Sequence, residues 1–188
     1  MESKRHLIYR FDKPALMKFF KQRVSSVMIS YVTKATIDVA TSLNAEDTAN
    51  SLPPLENFIH HLVVASNVPI ATFMSTLVYL TLVKSTFSPG SWRKEYIPHG
   101  VFLGALILSD KFLQDDSLEN WQWAMCTKMK AYNFGFRVRE VNQMETDLLL
   151  HLGYKIRITE DDLYRELHGF LQPICINTNA LLSDRSLG

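Results

Sequence analysis

Cysteine is almost missing from this chain. Cys126 and Cys175 are its only two in 188 residues, and neither sits in a C-x-x-C pair, which excludes a zinc ribbon and a dense disulfide scaffold. No cleavable apolar leader is expected, so the chain is assigned to a reducing compartment, cytoplasmic or nuclear, with both thiols free. Excess charge is also missing. Twenty Lys+Arg stand against nineteen Asp+Glu, a formal net charge of +1, and no global field draws in nucleic acid or an anionic membrane. Long apolar runs are absent too. The most lipid-like stretch, Phe73 to Val83, is interrupted by Ser75, Thr76 and Thr81 and is too short to span a bilayer.

Several chemical signatures are lacking as well. No G-x-x-x-x-G-K, G-x-G-x-x-G or G-x-S-x-G pattern occurs, so nothing points to a nucleotide enzyme or a hydrolase. His60-His61 follows Glu56 by one turn, yet no E-x-x-H or H-E-x-x-H accompanies it, and the two histidines read as a surface pair. No catalytic residue, metal ligand, cofactor or small-molecule ligand is expected.

What the chain does have is helical periodicity. Hydrophobic residues make up 47% of it, enough for one good core. Seven glycines and seven prolines are few, and most fall between apolar-periodic stretches, where they punctuate helices. A segment from Asp12-Lys13-Pro14 carries Leu16, Phe19 and Phe20, with Pro14 suited to a first helical position. Val24, Val27, Met28, Tyr31, Val32, Ala35 and Val39 then form a helical stripe. Asn44 to Ser51 reads as a polar linker. Pro53-Pro54 opens a helix that stops near Ser66-Asn67, and Pro69 opens a longer one through Val83. Phe87 to Pro98 is the largest loop, followed by a helix from His99-Gly100. Asp115, Asp116 and Ser117 are cap candidates for a fourth helix with Trp121, Trp123, Ala124 and Met129. Two positions apart on a helix face different ways, so one tryptophan is expected inside and one at the surface. A fifth helix runs from about Val138 to Leu152 and ends at Gly153. Thr159 to Asp162 is a capping-box pattern for a further helix, with Pro173 as its stop. Strand alternation is weak throughout, and the class is all-α.

Charge is uneven along this frame. Lys4, Arg5, Arg10, Lys13, Lys18, Lys21 and Arg23 outnumber Glu2 and Asp12 in the first stretch. Such a basic arm is a solvated helix face or a contact for an acidic partner. Asp115, Asp116 and Glu119 likewise read as capping and a solvated turn, or as a contact for a basic segment.

Two charges stand on the wrong faces. At about 100° per residue, Val101, Ala105, Leu108 and Phe112 make one stripe of the third helix, Phe102, Leu106 and Leu113 a second, and Leu103 and Ile107 most of a third. A helix apolar nearly all round belongs inside a bundle. Lys111 interrupts it, close in azimuth to Ile107 and to Gly104, where another backbone has room to approach. In the fifth helix Val138, Val141, Leu148, Leu149 and Leu152 form an apolar arc with Glu145 projecting from within it, while Arg139, Asn142 and Asp147 point elsewhere. Unpaired, each charge would be strongly unfavourable, so Lys111 and Glu145 are expected to pair across neighbouring helices. Two readings stay open for the pair: a structural ion pair whose long side chains reach water, or a pair retained for use, because apolar residues of similar size serve stability as well.

The order of five helices between Leu52 and Tyr154, with A-L-I-L-S-D-K-F in the third and N-Q-M-E-T-D-L-L-L-H-L-G-Y in the fifth, resembles a cyclin box. The segments L-P-P-L-E-N-F-I, S-N-V-P, K-F-L-Q-D-D-S-L-E-N-W-Q-W-A and E-V-N-Q-M-E are similar to fungal Pcl-type cyclins, which regulate the phosphate-response and polarity cyclin-dependent kinase. The resemblance covers about a hundred residues. It implies an all-α cyclin fold: an N-terminal helical extension and linker over 1–51, one five-helix box over 52–156, and a C-terminal helix and tail over 157–188. It also implies a non-catalytic regulatory subunit that docks on the small lobe of a cyclin-dependent kinase and helps direct its substrate choice. There it would push the αC helix inward, so that the αC glutamate meets the lysine that orients ATP. Lys111 and Glu145 match the family's kinase-facing lysine and glutamate, and Phe112, Leu149, Tyr154 and Ile156 match apolar positions of the same surface. The M-R-A-I-L type of substrate-docking sequence is absent from the first box helix, so R-x-L substrates are not expected. Arg137 stands where a capping Ser or Thr is usual. Other classes that share the fold are a transcription-initiation or nucleic-acid-binding module, which resembles paired boxes with a strongly basic face, and a scaffold that binds a kinase without activating it. Partners expected are a kinase, with no nucleic acid and no membrane.

Overall fold

The computed structural model describes residues 13–43, 52–86 and 97–185. Two segments named above, the linker Asn44 to Ser51 and most of the loop from Phe87, lie outside the described residues, as do Lys4, Arg5 and Arg10. The chain divides into two compact units, a larger one over Val24–Arg157 and a smaller one combining Met1–Arg23 with Ile158–Gly188.

The larger unit is all helical among the described residues, apart from one isolated bridge between Met129 and Phe134. Helix α2, Ser26–Ser42, starts where the Ser25 side chain accepts the Met28 N–H. It buries Met28, Ile29, Val32, Val39 and Ala40, whereas Val27 and Tyr31, placed on the same stripe by the spacing, are exposed, because the buried face turns instead toward Thr33 and Thr36. It packs against the helices that follow, so the unit extends beyond 52–156. Helix α3, Leu55–Ser66, enters through Pro54 and leaves through Asn67, which holds a left-handed φ of 51°. Helix α4 is Ile70–Thr86. Helix α5, Ile97–Leu113, begins earlier than the sequence suggested, with Pro98 in its first turn where no intrahelical N–H is needed. Helix α6 is Asn120–Cys126 and α7 is Val138–His151. The five helices α3 to α7 occupy the predicted box.

Helix α5 is the centre. Every residue from Val101 to Asp110 is buried, and α5 packs against α2, α3, α4 and α7. A helix surrounded on all sides needs apolar residues all round, the pattern the sequence shows. Phe58 of α3 is fully buried at the hub of an aromatic cluster. The His99 ring lies 4.9 Å from it, Phe134 5.9 Å, Phe136 6.0 Å and Phe102 6.5 Å between centroids. His99 Nε2 bonds the Pro53 carbonyl at 2.9 Å; since a carbonyl only accepts, the ring donates there. Burial pushes the His99 imidazole below its usual range, and the bond to Pro53 opposes that shift. The bond ties the start of α5 to the entrance of α3.

Two helix starts and one buried position differ from the sequence reading. The fourth helix is capped at Glu119, whose N–H donates to the Gln122 side chain at 2.8 Å, while Asp115 and Asp116 form a turn and Met129 lies beyond the helix. A side chain three residues inside can satisfy the cap backbone without a serine before it. The same device serves at Arg137, where a capping Ser or Thr is usual: its N–H donates to Glu140 at 2.8 Å, and α7 starts there. Val138, assigned to the buried arc of α7, is exposed, and Met144 takes its place beside Val141 and Leu148.

Helix α7 closes with a Schellman arrangement. The Tyr154 N–H reaches the Leu149 carbonyl at 2.9 Å and the Gly153 N–H reaches Leu150 at 3.0 Å. Gly153 and Tyr154 both hold positive φ, 55° and 59°. A Cβ added at Gly153 would meet nothing within 4 Å, so Gly153→Ala isolates the backbone effect. It is expected to lose about 1–2 kcal/mol, the penalty of a left-handed L-residue, measurable as a shifted urea midpoint with unchanged slope.

In the smaller unit, residues 13–19 form helix α1 and Glu160–Arg185 form α8. Phe19 stacks near Phe170 at 5.7 Å and Lys13 pairs with Glu160 at 3.2 Å. Thr159 and Asp162 cap α8 reciprocally, Asp162 N–H to Thr159 Oγ1 at 3.2 Å and Thr159 N–H to Asp162 at 2.9 Å. Pro173 is not the stop: α8 runs through it to Arg185. The carbonyl that faces the proline ring belongs to residue 169, a glycine, whose backbone lacks the Cβ restriction and yields more easily to that crowding. Among the described residues no helix is long and apolar enough to cross a membrane.

Candidate functional site

The site is built on the close approach of α5 and α7. A Cβ placed on Gly104 would lie 3.2 Å from the Met144 carbonyl oxygen and 3.3 Å from Leu148 Cδ2. Glycine is what lets the two helices come this close. Two turns further along the same side of α5 stands Lys111, in the last turn. Its ammonium meets Glu145 Oε1 of α7 at 2.6 Å. The anomaly read from both helices is thus a single ion pair across their interface.

Burial is unequal across it. The Lys111 side chain keeps 36% of its surface exposed, that of Glu145 only 13%. Glu145 is enclosed as expected, whereas the ammonium end of the pair opens to solvent. Phe112, 38% exposed, and Leu113 accompany Lys111 at the end of α5. Those two were placed on buried stripes by the periodicity, but α5 has reached the surface by its final turn. Leu149 is half-buried one turn beyond Glu145 on α7. Tyr154 is 65% exposed past the end of that helix. Ile156 is half-buried, and its carbonyl accepts the Tyr79 hydroxyl of α4 at 2.6 Å, which anchors the segment leaving α7. Burial raises the Tyr79 phenol well above its usual range, so it stays a donor. The structure therefore bonds Lys111 to Glu145 directly and sets Phe112 and Leu149 beside them in sequence on the same two helices. Tyr154 and Ile156 lie where α7 ends.

Two participants escaped the sequence reading. Asn120, the first residue of α6, accepts from Lys111 Nζ through Oδ1 at 3.1 Å and donates to Glu145 Oε2 at 2.6 Å. Asn142 accepts from Asn120 Nδ2 at 2.8 Å, which corrects its assignment to a face away from Glu145. Its three-residue spacing to Glu145 was a usable signal. Asn120 offered none, because a polar residue opening a helix reads as a cap. The turn before α6 is fixed by Asp110, which is buried and accepts the Leu118 N–H at 2.9 Å. Burial raises the Asp110 carboxyl from its ordinary range, opposed by that N–H and by the neighbouring Lys111 charge.

The tryptophans divide as expected, Trp123 fully buried and Trp121 55% exposed. His60 is exposed and His61 half-buried, and no cluster of His, Cys, Asp or Glu suited to a metal occurs among the described residues. Nothing in this arrangement resembles a nucleophile with its base. It is a polar centre flanked by apolar residues at a helix–helix seam.

No family model matches the chain. Comparison with curated proteins finds relatives in Saccharomyces cerevisiae. The chain is 37% identical over 164 residues to PHO85 cyclin-2, covering 85% of this chain and 51% of that protein. It is 36% identical over 168 residues to PHO85 cyclin-9, 87% and 53% respectively. To PHO85 cyclin-1 it is 32% identical over 169 residues, 85% and 58%. The chain thus spans about half the length of the curated relatives it matches. With the five-helix box on a buried α5, the lysine and glutamate paired between its third and fifth helices, and these similarities, the chain belongs to the cyclin family, among the PHO85-type cyclins.

Proposed function

We propose that this protein is the regulatory subunit of a cyclin-dependent kinase of the PHO85 type, that it activates the kinase by docking on its small lobe, and that it performs no chemistry itself. One observation carries the reading: the Lys111–Glu145 pair is made inside the fold but not finished there. Lys111 has three N–H donors and uses two, toward Glu145 and Asn120. A partly exposed ammonium with a spare donor, beside the exposed Phe112, is poorly explained as stability engineering and well explained as a centre completed by a partner's backbone carbonyl. The apolar residues Phe112, Leu149, Tyr154 and Ile156 would supply the surrounding contact area, and the rigid α5–α7 seam the stiffness to hold a kinase αC helix inward.

Co-purification with a PHO85-type kinase, followed by phosphorylation assays with and without this protein, tests the proposal. Binding with a rise in activity is expected. Binding without a rise would reduce the protein to a scaffold, and tight, salt-sensitive binding to duplex DNA instead would replace the proposal with a nucleic-acid module.

A further inference from the structure

We propose that Asn120 is the positioning residue of the docking pair, holding the Lys111 ammonium and the Glu145 carboxylate in one orientation so that their unused hydrogen-bonding capacity faces a kinase main chain. This rests on the reading of that pair as the docking centre.

A carboxamide has one oxygen that accepts and two N–H groups that donate. At Asn120 the oxygen takes the lysine (3.1 Å), and the nitrogen serves Glu145 Oε2 (2.6 Å) and Asn142 Oδ1 (2.8 Å). Turning the group over would set its NH2 against the ammonium and its oxygen against the carboxylate. Charge on both sides therefore fixes which way it points. Glu145 is held at both oxygens by different helices, Oε1 from α5 and Oε2 from α6. Lys111, otherwise free to swing on its four-carbon stem, is held at two of three donors. One N–H and the remaining carboxylate lone pairs are left, a donor and acceptors that suit a peptide C=O and N–H. Helix α6 is itself pinned, by Asp110 at Leu118 and by the Glu119–Gln122 cap. The three-helix clasp is thus set before any partner arrives, and binding need not order the lysine.

The test is a double-mutant cycle of Asn120→Leu and Lys111→Met, read as kinase affinity, with thermal melting as the control. Asn120→Leu is expected to fold and to weaken kinase binding about tenfold, the usual scale for hydrogen bonds to charged groups. In the Lys111→Met background it should cost clearly less than in the parent, since only its hold on Glu145 is left to lose. Parent-like binding by Asn120→Leu while Lys111→Met loses affinity would overturn the proposal and leave the docking reading intact. Losses that simply add would also overturn it, because Asn120 would then act independently of the pair. Parent-like binding by Lys111→Met would remove the docking reading and this proposal together. Should the leucine variant unfold, Asn120→Ala, which adds no apolar bulk, carries the same cycle.

Discussion

Lys111→Ala and Glu145→Ala are each expected to melt within a few degrees of the parent and yet fail to activate the kinase. In the free protein the lysine is a third exposed, so the intact pair is worth little there, about 1 kcal/mol or less. Removing Lys111 leaves Glu145 bonded to Asn120 Nδ2, and removing Glu145 leaves Lys111 bonded to Asn120 Oδ1. Docking changes the surroundings. Covered by a second chain, the remaining charge would be buried without its partner, a loss of about 2–5 kcal/mol, or roughly thirtyfold to a few thousandfold in affinity. A binding titration, a phosphorylation assay and a melt on the same preparations check this. Parent-like activation by both variants would make the pair merely structural.

The opposite separation is expected at Phe58. Phe58→Ala should destabilise the larger unit by about 3–5 kcal/mol, the range for a buried phenylalanine truncated to alanine. That is a large part of the roughly 5–15 kcal/mol that holds a typical domain together. The ring is fully buried, and its neighbours come from separate places: His99 and Phe102 on α5, Phe134 and Phe136 on the approach to α7. None can fill the gap alone without leaving the others. Urea unfolding followed by far-UV circular dichroism measures the change, and kinase binding should fall only in proportion to the folded fraction. A loss under about 1 kcal/mol would mean that this cluster collapses readily and is not the organising core.

These two positions also show what the sequence made legible. Helix α5 announced itself because a helix apolar on every side has few places to go, and Lys111 stood out against that background. Glu145 stood out within the arc of α7, and two charges in adjacent apolar surroundings predict each other. Gly104 pointed to the side from which α7 arrives. Less was legible where the deciding partner is distant or unremarkable. Pro173 has the chemistry of a helix stop, but whether a proline ends a helix depends on how the preceding turn yields, which no local pattern states. The fourth helix is capped from inside by Gln122 rather than by the aspartates before it, and both arrangements fit the same residues. Asn120 reads as an ordinary helix-opening residue, and its role exists only once α5, α6 and α7 are assembled. Phe112 carries the same ambiguity, since periodicity reports which face is apolar and not where the helix leaves the core.

Exchanging the two charges, Lys111→Glu with Glu145→Lys, tests the central claim most directly. The swapped pair can still form, and the Asn120 carboxamide can turn over to serve it, so melting should return to the parent value from whatever the single reversals lose. The outward face, however, would offer an acceptor where the proposed kinase contact takes a donor. The account predicts restored stability with activation still absent in the phosphorylation assay. Activation restored in step with stability would show that the pair serves only its own fold.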